Sequence, residues 1–130
     1  MWADNIKDIM QGLSDPRSVE SDRLAWEAEV ADLNGDPAEA RKLYAQAASI
    51  EEAIAMGGRH ESTRVYSMLL VSAVSLWFKA EAWDQVVRLG SQAIGDDDQA
   101  SQISASAETI VRKLINAAKK RNKDLASAPR

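Results

Sequence analysis

The chain has 130 residues, 45% of them apolar, with no cysteine and a net charge of −4. That length fits one domain with a core of its own, and the lack of cysteine excludes disulfides, thiolate metal sites and cysteine nucleophiles. The charge is uneven: Arg112, Lys113, Lys119, Lys120, Arg121, Lys123 and Arg130 face Asp124 alone, so an acidic body of −10 carries a basic tail of +6, which argues against general nucleic-acid binding by the body.

Three prolines and six glycines leave long uninterrupted stretches. Alanine, leucine, glutamate, glutamine, lysine and arginine dominate these, so the composition favours helix throughout. Trp2, Trp26, Trp77 and Trp83 are expected to supply the large buried area that an alanine-rich fold needs. The opening Met1-Trp2-Ala3-Asp4 lacks the basic start and apolar run of a signal peptide. The longest apolar stretch, Val65 to Phe78, is too short to span a bilayer and reads as a buried central helix. The expected location is cytoplasmic, with no membrane partner.

The first element is a short amphipathic helix over residues 3–13, since Trp2, Ile6, Ile9, Met10 and Leu13 share one helical face. It packs on the rest or serves as a docking arm, and Ser14-Asp15-Pro16 ends it. The next helix spans Val19 to Leu33, with Leu24, Ala28 and Ala31 on one side and Trp26, Val30 and Leu33 adjoining. Asn34-Gly35 closes it, because glycine tolerates the left-handed conformation just past a helix end. Asp36 then caps the following helix, Pro37 takes its first position and Glu39 its third, three agreeing start signals. So short a connection makes the two helices antiparallel neighbours.

The helix from Pro37 presents Ala40, Leu43, Tyr44, Ala47 and Ile54 at helical spacing and stops at Met56-Gly57-Gly58. The fourth, from Ser62 to Ala80, is apolar on nearly every side and belongs at the centre. A tight break at Ala82-Trp83 leads to a fifth, ending near Ile94. The last is expected to start at Gly95-Asp96-Asp97-Asp98, acids at its positive end, with Lys119-Lys120-Arg121 at its negative end. Its expected apolar stripe is Ile103, Ala107, Ile110, Leu114 and Ala118. Its other face is polar, as the cap of a helical stack should be. The division is an N-terminal helix over 1–16, a helical domain over 17–123 and a flexible tail over 124–130.

Residues 22–52 resemble a tetratricopeptide repeat, a helix-turn-helix unit. Leu24 and Ala28 match its large and small residues on the first helix, Gly35-Asp36 its turn, and Ala40, Tyr44 and Ala47 its second helix. Pro37 replaces the family's aromatic after the turn, and Glu52 its closing proline. A weaker copy follows 46 residues on, where Trp77 and Trp83 fill aromatic positions and Ala93 the last alanine, but Val86 and Gly90 replace the small-then-aromatic pair.

The resemblance implies an all-α fold of antiparallel helical hairpins in a short right-handed stack with a C-terminal capping helix. It also implies a concave groove lined by the first helices of the hairpins, binding a peptide or a partner protein. By position, that groove takes Asp22, Glu29 and Asp32 from the first hairpin and Met68, Val71, Ser75, Phe78 and Lys79 from the second. Acids beside methionine and phenylalanine suit an amphipathic or basic-apolar segment. The plainer role for Met68, Val71 and Phe78 is core, and for the acids a solvated face.

No pattern specifies a reaction. His60, the only histidine, lies in a loop without a second histidine or cysteine for a metal site. Gly57-Gly58-Arg59 lacks the lysine of a phosphate loop and reads as a helix stop. Asp96-Asp97-Asp98 lacks the glycine and closing glutamate of a calcium loop. Lys119, Lys120 and Arg121 could touch an acidic partner, but no aromatic is interleaved for base stacking, so nucleic acid is not the expected partner. The expected function is therefore non-catalytic, without metal or cofactor: an adaptor or small chaperone. The alternative is a structural subunit that self-associates, since two hairpins are fewer than usually make a stable array.

Overall fold

A computed structural model describes residues 15–57, 62–95 and 101–127. The described residues form five helices and no strand: α1 Pro16–Leu33, α2 Pro37–Gly57, α3 Thr63–Lys79, α4 Trp83–Ile94 and α5 Ala105–Ser127. Each packs on its neighbour in the chain, and α5 also reaches back to α3. The all-α class expected from composition is the one observed. The helix expected over residues 3–13, the His60 loop and Asp96-Asp97-Asp98 lie outside the described residues.

Local chemistry accounts for the helix ends. Asp15 accepts from the Arg17 backbone N–H at 2.9 Å and opens α1, with Pro16 in the first position. The Arg17 guanidinium, 2.7 Å from its carboxyl, holds the Asp15 pKa down to about 2. Ser62 caps α3 by accepting from the Val65 N–H. The helix expected to start at Gly95-Asp98 instead starts at Ala105, capped by the Ser104 hydroxyl, which accepts from the Ala107 N–H at 3.3 Å. Residues 101–104 run non-helical so that Ile103 enters the core, while the Gln102 N–H donates to the Ala93 carbonyl and the Ser104 N–H to the buried Ser67 hydroxyl. Helix also continues through residues 124–127, expected from sequence to be tail.

The turns of the two hairpins are the same structure, 46 residues apart. After α1, the Asn34 N–H donates to the Val30 carbonyl, Gly35 to Asp32 and Asp36 to Ala31. After α3, Ala80 donates to Leu76, Glu81 to Phe78 and Ala82 to Trp77. This is the Schellman closure of a helix, with its pivot in the left-handed region. Gly35 holds that pivot at φ 79° and Glu81 at φ 57°. The buried positions recur with the same offset: Leu24 and Leu70, Ala28 and Val74, Ala40 and Val86, Ala47 and Ala93. Buried serines recur as well, at Ser21 and Ser67.

One apolar cluster joins α1 and α2 with the end of α3, through Leu24, Ala28, Ala40, Tyr44, Ala47, Ala48, Leu76 and Ala80. A larger one joins α3, α4 and α5 around Leu70, Val74, Val86, Leu89, Val111 and Ile115. Helix α3 serves both, as its nearly unbroken apolar character requires. On α5 the buried stripe is Ala107, Val111, Ile115 and Ala118, not the expected row through Ile110 and Leu114. Gly90 explains the rotation, because a Cβ there would lie 2.8 Å from Ile115 Cδ1 and 3.0 Å from Val111 Cγ1. A bare backbone lets those two side chains, rather than Ile110, face α4.

The tryptophans do not all serve the core. Trp83 is buried and Trp77 half-buried, but Trp26 is 65% exposed. Helix α1 packs principally on α2, and Trp26 lies on the face opposite Leu24 and Ala28.

Candidate functional site

The residues expected to form a groove fall into three groups. Lys79 lies over the Tyr44 ring, and the charges of Glu29 and Asp32 on α1 are felt at the same tyrosine. Lys79 Nζ lies 5.6 Å from the centre of the Tyr44 ring, within cation–π range. Burial raises the Tyr44 pKa, and the charges of Glu29 and Asp32 raise it further. All three charged side chains are exposed, whereas Tyr44 is only 6% exposed. The result is a polar rim from α1 and α3 around an aromatic floor from α2.

Asp22 sits farther along α1, exposed beside a buried pair. The Ser21 hydroxyl donates to Glu51 Oε1 at 2.9 Å, and Glu51 is 8% exposed. Burial pushes the Glu51 pKa up, the Ser21 hydrogen bond opposes the rise, and the Asp22 charge adds to it.

The α3 residues divide by face. Met68 is 46% exposed, Ser75 half-buried and Lys79 exposed; spacings of seven and four put them on one outward row. Val71 and Phe78 flank that row, half-buried, and pack against the larger core. The Phe78 ring meets Trp83 edge-on, with centroids 5.0 Å apart at 69°, an arrangement favoured between aromatic quadrupoles. These two residues thus fill the plainer role.

Two cross-links escaped sequence reasoning. Glu52 Oε1 accepts from Trp77 Nε1 at 2.9 Å and from Arg88 at 2.6 Å, tying α2 to α3 and α4. Arg41 pairs with Glu81 at 3.1 Å, tying α2 to the second turn. A signal existed in hindsight, since Glu52 replaces the proline of the repeat pattern and a tryptophan N–H in a protein interior needs an acceptor.

Comparisons with protein-family models, with curated proteins and with solved structures found no match. The site is therefore read from its own geometry. Among the described residues no group of three or more histidine, cysteine, aspartate or glutamate side chains could hold a metal ion. No helix among them is long and apolar enough to cross a membrane.

Lys119, Lys120 and Arg121 are exposed on the last turns of α5. Lys119 and Arg112 border a shallow cavity of about 200 Å³ with Ser91, Ile94 and Ile115. Arg121 lines another of about 200 Å³ beside Trp83 and Leu125. Both are open surface depressions; the first carries two cations beside apolar carbon, and the second sets Arg121 beside Glu81 and Asp124. Arg121 and Lys119 fall in separate depressions, so the basic cluster is not a single pocket.

Proposed function

We propose that the chain is a non-catalytic protein-interaction module of the cytoplasm, an adaptor or small chaperone. It holds a peptide or helix along the side where α1 and α3 are exposed together. The proposal takes the hairpins as a short right-handed tetratricopeptide-like stack, with α5 as its cap. The observation that carries it is the convergence of Glu29, Asp32 and Lys79 on Tyr44, with Met68 farther along the same row of α3.

That surface offers two carboxylates to a basic residue, a cation to an acidic one, and a flexible thioether to an apolar side chain. Methionine adapts to differently shaped partners because it is unbranched and polarizable. A basic-apolar segment fits best, since acids outnumber Lys79. The charged rim sets partner choice and encounter rate, and the apolar contacts supply affinity.

The test is affinity capture from the source cell's lysate with wild type and a double variant, Glu29→Lys with Lys79→Glu. Both sites are exposed, so the variant should keep its helical circular dichroism. A partner retained by wild type and lost by the variant is the expected result. Capture of nothing by wild type, or equal capture by both, would overturn the groove.

A further inference from the structure

Helix α1 turns an apolar stripe away from the other described helices. Val19, Trp26, Val30 and Leu33 are 71%, 65%, 37% and 87% exposed. Their spacings of seven, four and three residues put them on one helical face. Acids border both edges: Glu20 and Glu27 on one, Asp22 and Glu29 on the other. Arg23 lies within the stripe, and its charge is already engaged by Glu20 and Glu27. The outermost helix of a stack normally presents a polar outer face; α1, the first of the described helices, does not.

Helix α5, the last helix, carries the complement. Ile110, Leu114, Ala117, Arg121 and Leu125 recur at spacings of four, three, four and four. Ile110 is 46% and Leu125 65% exposed, with Leu114 and Ala117 half-buried between them. Lys113 and Lys120 run along the solvent edge of this row, and with Arg121 they outnumber its single acid, Asp124. At the rise of an α-helix each stripe is roughly 21–23 Å long, so the two match in length.

We infer that the chain associates head to tail, the α1 face of one copy seated on the α5 face of the next. Pairing α1 with α1 would bring acid-bordered edges together, and pairing α5 with α5 would do the same with cations. Only the α1–α5 contact joins opposite charges while covering Trp26 and Leu33. Such a heterologous contact leaves a free α1 face and a free α5 face on every pair, so it propagates into rings or filaments. The contact shares with the proposed groove only the bordering acids Asp22 and Glu29, and its apolar centre at Trp26 and Leu33 does not depend on that reading.

Sedimentation of wild type over a range of concentrations, at low and high salt, is the first measurement. Two variants follow: Trp26→Asp with Leu33→Asp on α1, and Lys113→Glu with Lys120→Glu on α5. Circular dichroism confirms that each folds, and Leu33→Asp alone is the milder variant of the α1 face. Wild-type mass should rise with concentration, and high salt should weaken association by about tenfold or more. Each double variant alone should be monomeric. Their equimolar mixture should form dimers and nothing larger, because it holds one intact α1 face and one intact α5 face. A monomeric wild type at every concentration, an α5 variant that dimerises alone, or a mixture that stays monomeric would each overturn the contact.

Discussion

Hairpin α1–α2 and hairpin α3–α4 close with the same turn hydrogen bonds, yet they distribute volume in opposite ways. The first puts Ala28 and Ala40 at its helix crossing and the large Tyr44 at the step toward the next helix. The second puts Val74 and Val86 at the crossing and Gly90 at that step. The difference follows from the neighbour. Tyr44 meets α3 near its end, beneath the long side chain of Lys79. Gly90 meets α5 through Val111 and Ile115. A repeat can thus keep its backbone while exchanging large for small residues wherever the following helix comes close, because cores are packed to near-crystal density and total volume is what they conserve.

The largest expected effect breaks that exchange. Gly90→Ala places a methyl 2.8 Å from Ile115 Cδ1; overpacking of this kind costs about 1–3 kcal/mol, which the higher helix propensity of alanine offsets by up to about 1 kcal/mol. Urea denaturation should show the loss, and a second substitution, Ile115→Val, should recover part of it by giving the methyl room. Gly90→Ala without loss of stability would mean that α5 does not approach α4 this closely.

The turns provide the next pair of tests, with opposite signs. Gly35 at φ 79° has open space around its missing Cβ, so Gly35→Ala should destabilise only through backbone strain, by about 1–2 kcal/mol. Glu81 stands in the same conformation at φ 57°. Glu81→Gly should raise the unfolding free energy by up to about 1 kcal/mol, read from denaturant melts. The exposed Arg41–Glu81 pair it sacrifices offsets little of that gain. Equal signs for the two substitutions would contradict a shared turn geometry. A smaller gain is expected from Ala82→Asp, because Ala82 makes no side-chain cap where Asp36 accepts from the Glu39 N–H.

The subtlest contrast concerns the buried serines. Ser21 donates to the titratable Glu51, whereas Ser67 accepts from the Ser104 backbone N–H. The folded-state pKa of Glu51 lies above its ordinary value. The group's contribution is therefore fully present below the unfolded pKa, and it is lost as pH rises through the folded pKa. Glu51→Gln should flatten this fall in stability between mildly acidic and neutral pH. Thermal melts across that range would show it, while Ser67→Ala should lower stability without changing the pH slope.

Much of the fold was legible in the chain, and particular residues show why. Asn34-Gly35-Asp36-Pro37 encodes one helix stop and one helix start within four positions, so the turn of the first hairpin could be placed to the residue, although α1 begins at Pro16 rather than at the expected Val19. The Ser62–Ala80 stretch was central because no wet side wide enough for a surface helix exists in it. The start of α5 was misplaced, since residues 101–104 stay out of the helix where Ile103 is buried. The candidate site was half legible. Glu29, Asp32 and Lys79 could be assigned to one surface, but their convergence on Tyr44 depends on how α3 lies across α2.

By itself the sequence determined helix type, turn chemistry, the internal 46-residue repeat and the separation of acidic body from basic end. These are local properties, carried by residues a few positions apart whose energetics do not depend on distant partners. Tertiary structure decided which apolar faces were used. Trp26 and Phe78 are both large aromatics on helices, yet one faces solvent and the other Trp83, because α3 is surrounded by neighbours and α1 is not. It also decided that Gly90 receives α5 and that Glu52 clamps the two hairpins together. Burial and hydrogen bonding between distant residues depend on where whole helices come to rest, and no window of sequence contains that information.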